Sequence, residues 1–130
     1  MAHDFFNPVR SVYGAGSLAS LHELVGGRKA ALVTFPEARV LGLVPRIEQL
    51  LGPSLVRVID DVRPNPDVRE LRALYESFWR DPAPADLLIA VGGGSAIDTA
   101  KALMVGTADG GFDELLQALA AGRAFTPSRV

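Results

Sequence analysis

Asp86-Leu87-Leu88-Ile89-Ala90-Val91-Gly92-Gly93-Gly94-Ser95-Ala96-Ile97-Asp98-Thr99-Ala100-Lys101 is the stretch that decides the fold. Its first six residues read as a buried strand, Asp86 followed by an unbroken apolar run from Leu87 to Val91. From Ser95 to Val105 the pattern is helical, and three glycines join the two parts. In open α/β sheets, ligands bind at the carboxyl end of such a strand. Glycines there let the backbone approach an anion and aim successive N–H groups at it, and the helix dipole adds attraction for a phosphate. The spacing is neither Gly-x-Gly-x-x-Gly nor the Gly-Lys-Ser/Thr phosphate loop.

Upstream, the same alternation repeats. Lys29 to Thr34 is a nearly continuous apolar run and reads as a second buried strand. Phe35 to Leu41 reads as one or two helical turns, broken at Gly42 and restarted with Pro45 in the first turn of a helix carrying Ile47, Leu50 and Leu51. Leu55 to Ile59 is another strand. Asn65-Pro66-Asp67 offers Asn65 as a cap, a proline at the first helical position and an acidic first turn, ahead of Val68, Leu71, Leu74, Tyr75 and Phe78 at helical spacing. Nearer the start, Phe5 to Tyr13 reads as an extended edge strand, and Ser17 as the cap of a short helix through Leu24, closed by Gly26-Gly27. Phe112 to Ala121 forms the last helix. Strands alternating with helices predict an α/β fold: a parallel sheet with helices on both faces, in one domain over residues 1–130.

Composition narrows the function. With 13 basic against 15 acidic residues and no basic stripe, binding to nucleic acid through phosphate neutralisation is not expected. The absence of cysteine removes disulfides, thiolate metal sites and a thiol nucleophile. No apolar run reaches the roughly 20 residues that span a bilayer, so a cytoplasmic protein is expected. The chain stops at Phe125-Thr126-Pro127-Ser128-Arg129-Val130 without a closing element, which suggests a piece of something longer or an untied tail.

Ser95 and Asp98 have the spacing of a capping box. Asp98 and Lys101 can form a surface ion pair. Asp98 can also accept a hydrogen bond from a ligand, and spacing does not choose between these.

The string Gly92-Gly93-Gly94-Ser95-x-x-Asp98-x-x-Lys101, preceded by Pro64-Asn65-Pro66 and by Tyr13-Gly14-x-Gly16, resembles the iron-containing (group III) alcohol dehydrogenases. That resemblance covers almost the whole chain. It implies a two-domain, homodimeric enzyme, with an N-terminal Rossmann-like half for NAD(P) and a C-terminal helical half, missing here, that holds iron or zinc. It implies that Gly93, Gly94 and Ser95 bind the pyrophosphate, that Asp98 lies near the nicotinamide, and that Asn65 approaches the adenosine, as an alternative to its capping role.

Two departures bear on mechanism. The family often has an aspartate for the adenine ribose after the strand that ends here at Thr34, and this chain has Phe35. A carboxylate there would repel the 2′-phosphate of NADP, so its absence predicts NADPH used at least as well as NADH, with Arg39, four residues on, as the candidate phosphate partner or a solvated surface arginine. The family's metal ligands are an aspartate and histidines of the absent half. Only His3 and His22 occur here, and both read as surface residues, so no metal site is expected.

The implied activity is a metal-dependent alcohol dehydrogenase or aldehyde reductase, inactive as this chain alone. Alternatives are a dehydroquinate synthase-like or glycerol dehydrogenase-like enzyme, or a non-enzymatic nucleotide-binding module. A short-chain aldehyde is the expected substrate, and Asn7 to Arg10 and Thr34 to Glu37 are similar to reductases of phosphonate-bearing aldehydes.

Overall fold

The computed structural model describes residues 8–124. His3, the expected strand residues Phe5 to Asn7 and the tail from Phe125 lie outside them. Three strands, β1 (Ala30–Thr34), β2 (Leu55–Ile59) and β3 (Leu87–Val91), form one parallel sheet in the order β2-β1-β3. Five helices surround it: α1 (Leu21–Val25), α2 (Leu43–Leu51), α3 (Val68–Trp79), α4 (Gly94–Leu103) and α5 (Phe112–Ala120).

β1 is central, and all five of its residues are 0% exposed. Side chains alternate across a strand. Ala31 and Val33 therefore pack with Tyr75, Phe78, Leu103, Phe112 and Leu115 of α3, α4 and α5. Ala30 and Leu32 pack with Val25 of α1 and with Val44, Ile47 and Leu51 of α2. A strand buried on both sides has no polar face, which is why it reads as an unbroken apolar run. Each fully buried leucine or isoleucine, such as Leu32, Ile47 and Leu103, contributes roughly 1.5–3 kcal/mol.

The strand order explains the two layers. The chain steps from β1 to β2 through α2, then returns across β1 to β3 through α3. With right-handed crossovers, a reversal of direction puts the two connecting helices on opposite faces, as the two clusters show. Because β2 and β3 lie on opposite sides of β1, the order switches between β1 and β3. At such a switch point the connections part and leave a crevice at the strands' carboxyl ends.

Local structure corrects the sequence reading in four places. Residues 8–13, the described part of the expected edge strand, form no strand and are exposed. Extended structure persists only where a ladder accepts its N–H and C=O groups, and neither β2 nor β3 pairs with this segment. Ser17 caps no helix: Gly16, at φ 82°, precedes a 3-10 turn over Ser17–Ser20 that leads into α1, and Gly26 closes α1 in the left-handed conformation. α3 is capped by Asp67, whose carboxylate accepts from the N–H groups of Arg69 and Glu70 at 2.7 and 2.9 Å. Asn65 is not the cap, and Pro66 falls before the helix rather than in its first turn. Finally, α4 begins one residue early, with Gly93 as its N-cap and no side-chain cap, so Ser95 and Asp98 form no capping box.

Candidate functional site

The carboxyl ends of β1 and β3 are held together by a residue that sequence reading took only as a strand end. The buried Thr34 hydroxyl donates to the Val91 carbonyl at 2.7 Å, and the Thr34 carbonyl accepts from the Val62 N–H at 3.2 Å. One threonine thus fixes the end of β3, where the glycine turn starts, and the segment leaving β2. A polar residue closing an otherwise apolar run was the signal available in the sequence.

The three glycines have different reasons to be glycine. Gly92 has φ +142°, and a Cβ there would stand 3.0 Å from Cδ1 of Phe35 and 3.2 Å from the Ala96 Cβ. The fold itself requires it. Gly93 has an ordinary φ of −85°, and a Cβ on Gly93 or Gly94 would meet nothing within 4 Å. Nothing in the fold requires these two. Both are exposed and form the open start of α4, whose first ladder bond to the turn is Ile97 N–H to the Gly93 carbonyl at 3.2 Å. The N–H groups of Gly94, Ser95 and Ala96 find no acceptor among the described residues. An uncapped helix start with room for an outside atom can take an anion, and the helix dipole favours it.

Ser95 and Asn65 meet, although they lie 30 residues apart: the Asn65 N–H donates to Ser95 Oγ at 3.1 Å. With Oγ serving as acceptor, the hydroxyl proton is left to donate elsewhere. Asn65 has φ 49°, alone among the described non-glycine residues in being positive, a conformation asparagine tolerates better than most. Asp98 is not gathered into this group. Its carboxylate, 74% exposed, pairs with Lys101 at 3.3 Å, a surface contact worth ~0–1 kcal/mol. Phe35 leaves β1 half-buried with its ring against Gly92.

Arg39 is neither free nor simply solvated. Its Nε and Nη2 both lie 3.0 Å from Asp60 Oδ2, and Nη1 is 3.4 Å from Glu48 Oε1. The hydrogen bond to Asp60 is the largest cause of the raised Arg39 pKa, opposed by desolvation and supported by the charge of Glu48.

Among the described residues, no group of three or more His, Asp or Glu side chains stands together to hold a metal. His22 Nδ1 lies 3.2 Å from the Leu50 carbonyl at the exposed contact of α1 with α2. No described helix is long and apolar enough to cross a membrane. A groove of about 560 Å³ runs between β2 and α3, lined by Arg57, Asp60, Val62, Leu71, Leu74 and Thr99 among others. It contains none of the residues expected to hold the cofactor. The glycine turn is an open ledge rather than a cavity, and its unpaired amides mark it better than enclosed volume does.

A parallel sheet with helices on both faces and an amide-lined helix start at its switch point defines an α/β domain of the kind that takes a phosphate group at the strand ends. The comparisons narrow this class. Residues 8–129 match the iron-containing alcohol dehydrogenase family. Alcohol dehydrogenase 4 of Saccharomyces cerevisiae is 29% identical over 112 residues, covering 82% of this chain and 29% of that protein. Maleylacetate reductase 2 of Cupriavidus pinatubonensis is 41% identical over 102 residues, covering 75% of this chain and 27% of that protein. The crystal structure of sulfoacetaldehyde reductase from Bifidobacterium kashiwanohense in complex with NAD+ superposes with a TM-score of 0.70 at 27% identity, covering 81% of this chain and 28% of that one. The chain belongs to the iron-containing alcohol dehydrogenase family. It spans less than a third of the length of each of these relatives.

Proposed function

We propose that this chain is the NAD(P)-binding half of a metal-dependent alcohol dehydrogenase or aldehyde reductase. The observation that carries this reading is the uncapped start of α4, where Gly93 and Gly94 leave space that the fold does not itself need. In this reading the cofactor pyrophosphate accepts hydrogen bonds from the N–H groups of Gly94, Ser95 and Ala96 and from the Ser95 hydroxyl, while Gly93 admits it. Asn65 stands beside Ser95 toward the adenosine. Asp98, one turn along α4, lies toward the nicotinamide, with Lys101 as its resting partner. When bound, the nicotinamide supplies or accepts the hydride. This chain's part is to hold the dinucleotide at the strand ends.

Phe35 brings no charge to the end of β1, so a 2′-phosphate meets no repulsion from that position, and nothing at residue 35 excludes NADPH. The expectation that NADPH serves at least as well is weakened by Arg39, whose guanidinium is already committed to two carboxylates. The metal and the substrate pocket belong to sequence that the longer relatives have and this chain does not cover. A small alcohol or aldehyde is the substrate class.

The test is calorimetry of NADH and NADPH on this chain and on Gly94→Val. A Cβ at this position would meet nothing within 4 Å, so the fold should tolerate a side chain there, while binding should weaken at least about tenfold, ~1.4 kcal/mol. Unchanged affinity would remove the pyrophosphate from this turn. The same preparation should turn over no alcohol or aldehyde with added iron or zinc, and metal-dependent turnover by this chain would overturn the half-site reading.

A further inference from the structure

The site reading leaves one cluster at the sheet's carboxyl end without a role: Arg39 between Asp60 and Glu48. The register pairs Val33 with Ile59, so Asp60, the residue after β2, comes level with Thr34, the last residue of β1, which Phe35 follows. Three neighbouring stations therefore cross the sheet end in order: the glycine turn after β3, Phe35 after β1 and Asp60 after β2. Phe35 touches the first station through Gly92, and Arg39, four residues beyond it, touches the third through Asp60.

Dinucleotide sites use two kinds of residue near the adenosine: a carboxylate that accepts from the ribose hydroxyls and an arginine that accommodates a 2′-phosphate. Both kinds are present here, from β2 and from the turn after β1, and they are bonded to each other. We propose that Asp60 sets this chain's preference at the 2′ position of the cofactor by holding Arg39 in an ion pair. The proposal rests on the NAD(P) reading above.

The electrostatics set the direction. A phosphate monoester carries roughly −1.5 to −2 charges at pH 7. To take the Nε–Nη2 edge of Arg39 it must displace the Asp60 carboxylate, and at any edge it stands near Asp60 and Glu48. A ribose hydroxyl has no such conflict, and Asp60 can accept from it. Asp60 thus supplies from β2 the discrimination that Phe35 does not supply from β1. With Asp60 neutralised, only the longer Glu48 contact would hold the guanidinium, leaving most of its donors to a phosphate.

The experiment uses AMP and adenosine 2′,5′-bisphosphate as probes, with calorimetry on the chain, Asp60→Asn, Asp60→Ala and the double variant Arg39→Ala with Asp60→Asn. Both single Asp60 variants should raise the affinity ratio of bisphosphate to AMP by at least about tenfold, and the double variant should return it to the starting value. Thermal melting beside each titration checks that the variants are folded. A ratio that stays within about twofold in both Asp60 variants, or one that rises as much without Arg39, overturns the proposal while leaving the cofactor reading intact. Failure of AMP and of the bisphosphate to bind the unmodified chain would bring down both.

Discussion

α3 and α4 start from nearly the same backbone and treat their free amides in opposite ways. Asp67 and Gly93, the two N-caps, are both extended, at φ −77°, ψ 163° and φ −85°, ψ −166°. Asp67 closes its helix with a carboxylate on the second and third amides. Gly93 has no side chain to do so, and the corresponding amides of Ser95 and Ala96 stay open. Geometry would allow an aspartate at residue 93, since its φ is ordinary and its Cβ would meet nothing. The difference is therefore not imposed by folding. α2 and α5 also start at a glycine without a side-chain cap, so what sets α4 apart is where its bare start lies: at the switch point of the sheet, open to an outside anion.

The comparison is tested first at the glycine that does belong to the fold. Gly92→Ala forces a side chain into φ +142° and sets its Cβ 3.0 Å from the Phe35 ring. Strain of that kind is of order 1–3 kcal/mol, and about 2 kcal/mol of lost stability is expected by urea unfolding. A loss under about 0.5 kcal/mol would mean that Gly92 is as dispensable to the fold as its neighbours.

Giving α4 the cap of α3 is the next step. Gly93→Asp should stabilise the chain by a few tenths to about 1 kcal/mol, through the cap and the helix dipole. The new carboxylate would occupy the open amides and repel phosphate, so NADH affinity should fall at least about tenfold. Higher stability with unchanged affinity would separate the helix start from cofactor binding. The reciprocal change, Asp67→Ala, should cost about 1 kcal/mol and leave NADH affinity alone; a parallel loss of affinity would show that α3's start also serves the site.

How much of this was legible in sequence follows from how local each feature is. β1 was readable because burial on both faces leaves an unbroken apolar run. β3 carries the same kind of run, but its expected burial on both faces is not met, since it pairs with β1 alone, its residues are only half-buried and Ala90 is exposed. The glycine turn was readable because it follows that run directly. The cap of α3 was misplaced because Asn65 and Asp67 are both good cap residues around a proline, and only the backbone shows which amides each can reach. The capping box failed for a related reason: the helix starts at Gly94, so Ser95 already lies within its first turn. The Thr34–Val91 bond, the Asn65–Ser95 contact and the Arg39–Asp60 pair were out of reach, because the members of each pair come from different βα units. The last two join residues 30 and 21 positions apart, and nothing local fixes such distances before the sheet forms.

The smallest expected change in stability is at Ser95, and it separates the two helix starts most sharply. Ser95→Ala removes the acceptor of the Asn65 N–H. Asn65 is exposed, so water can replace the lost bond. An intramolecular hydrogen bond contributes ~0.5–1.5 kcal/mol net, and here the low end applies, about 0.5 kcal/mol. Affinity should respond more, because the variant loses a hydroxyl donor to the pyrophosphate and loosens the segment that holds Asn65 beside it. A decrease of roughly three- to tenfold in NADH affinity, up to about 1.4 kcal/mol, is expected from calorimetry. Asp67→Ala then changes stability without binding, and Ser95→Ala changes binding with little effect on stability. If Ser95→Ala instead lowers stability by as much as Asp67→Ala and leaves binding untouched, Ser95 is a structural tie, and the pyrophosphate is held by backbone amides alone.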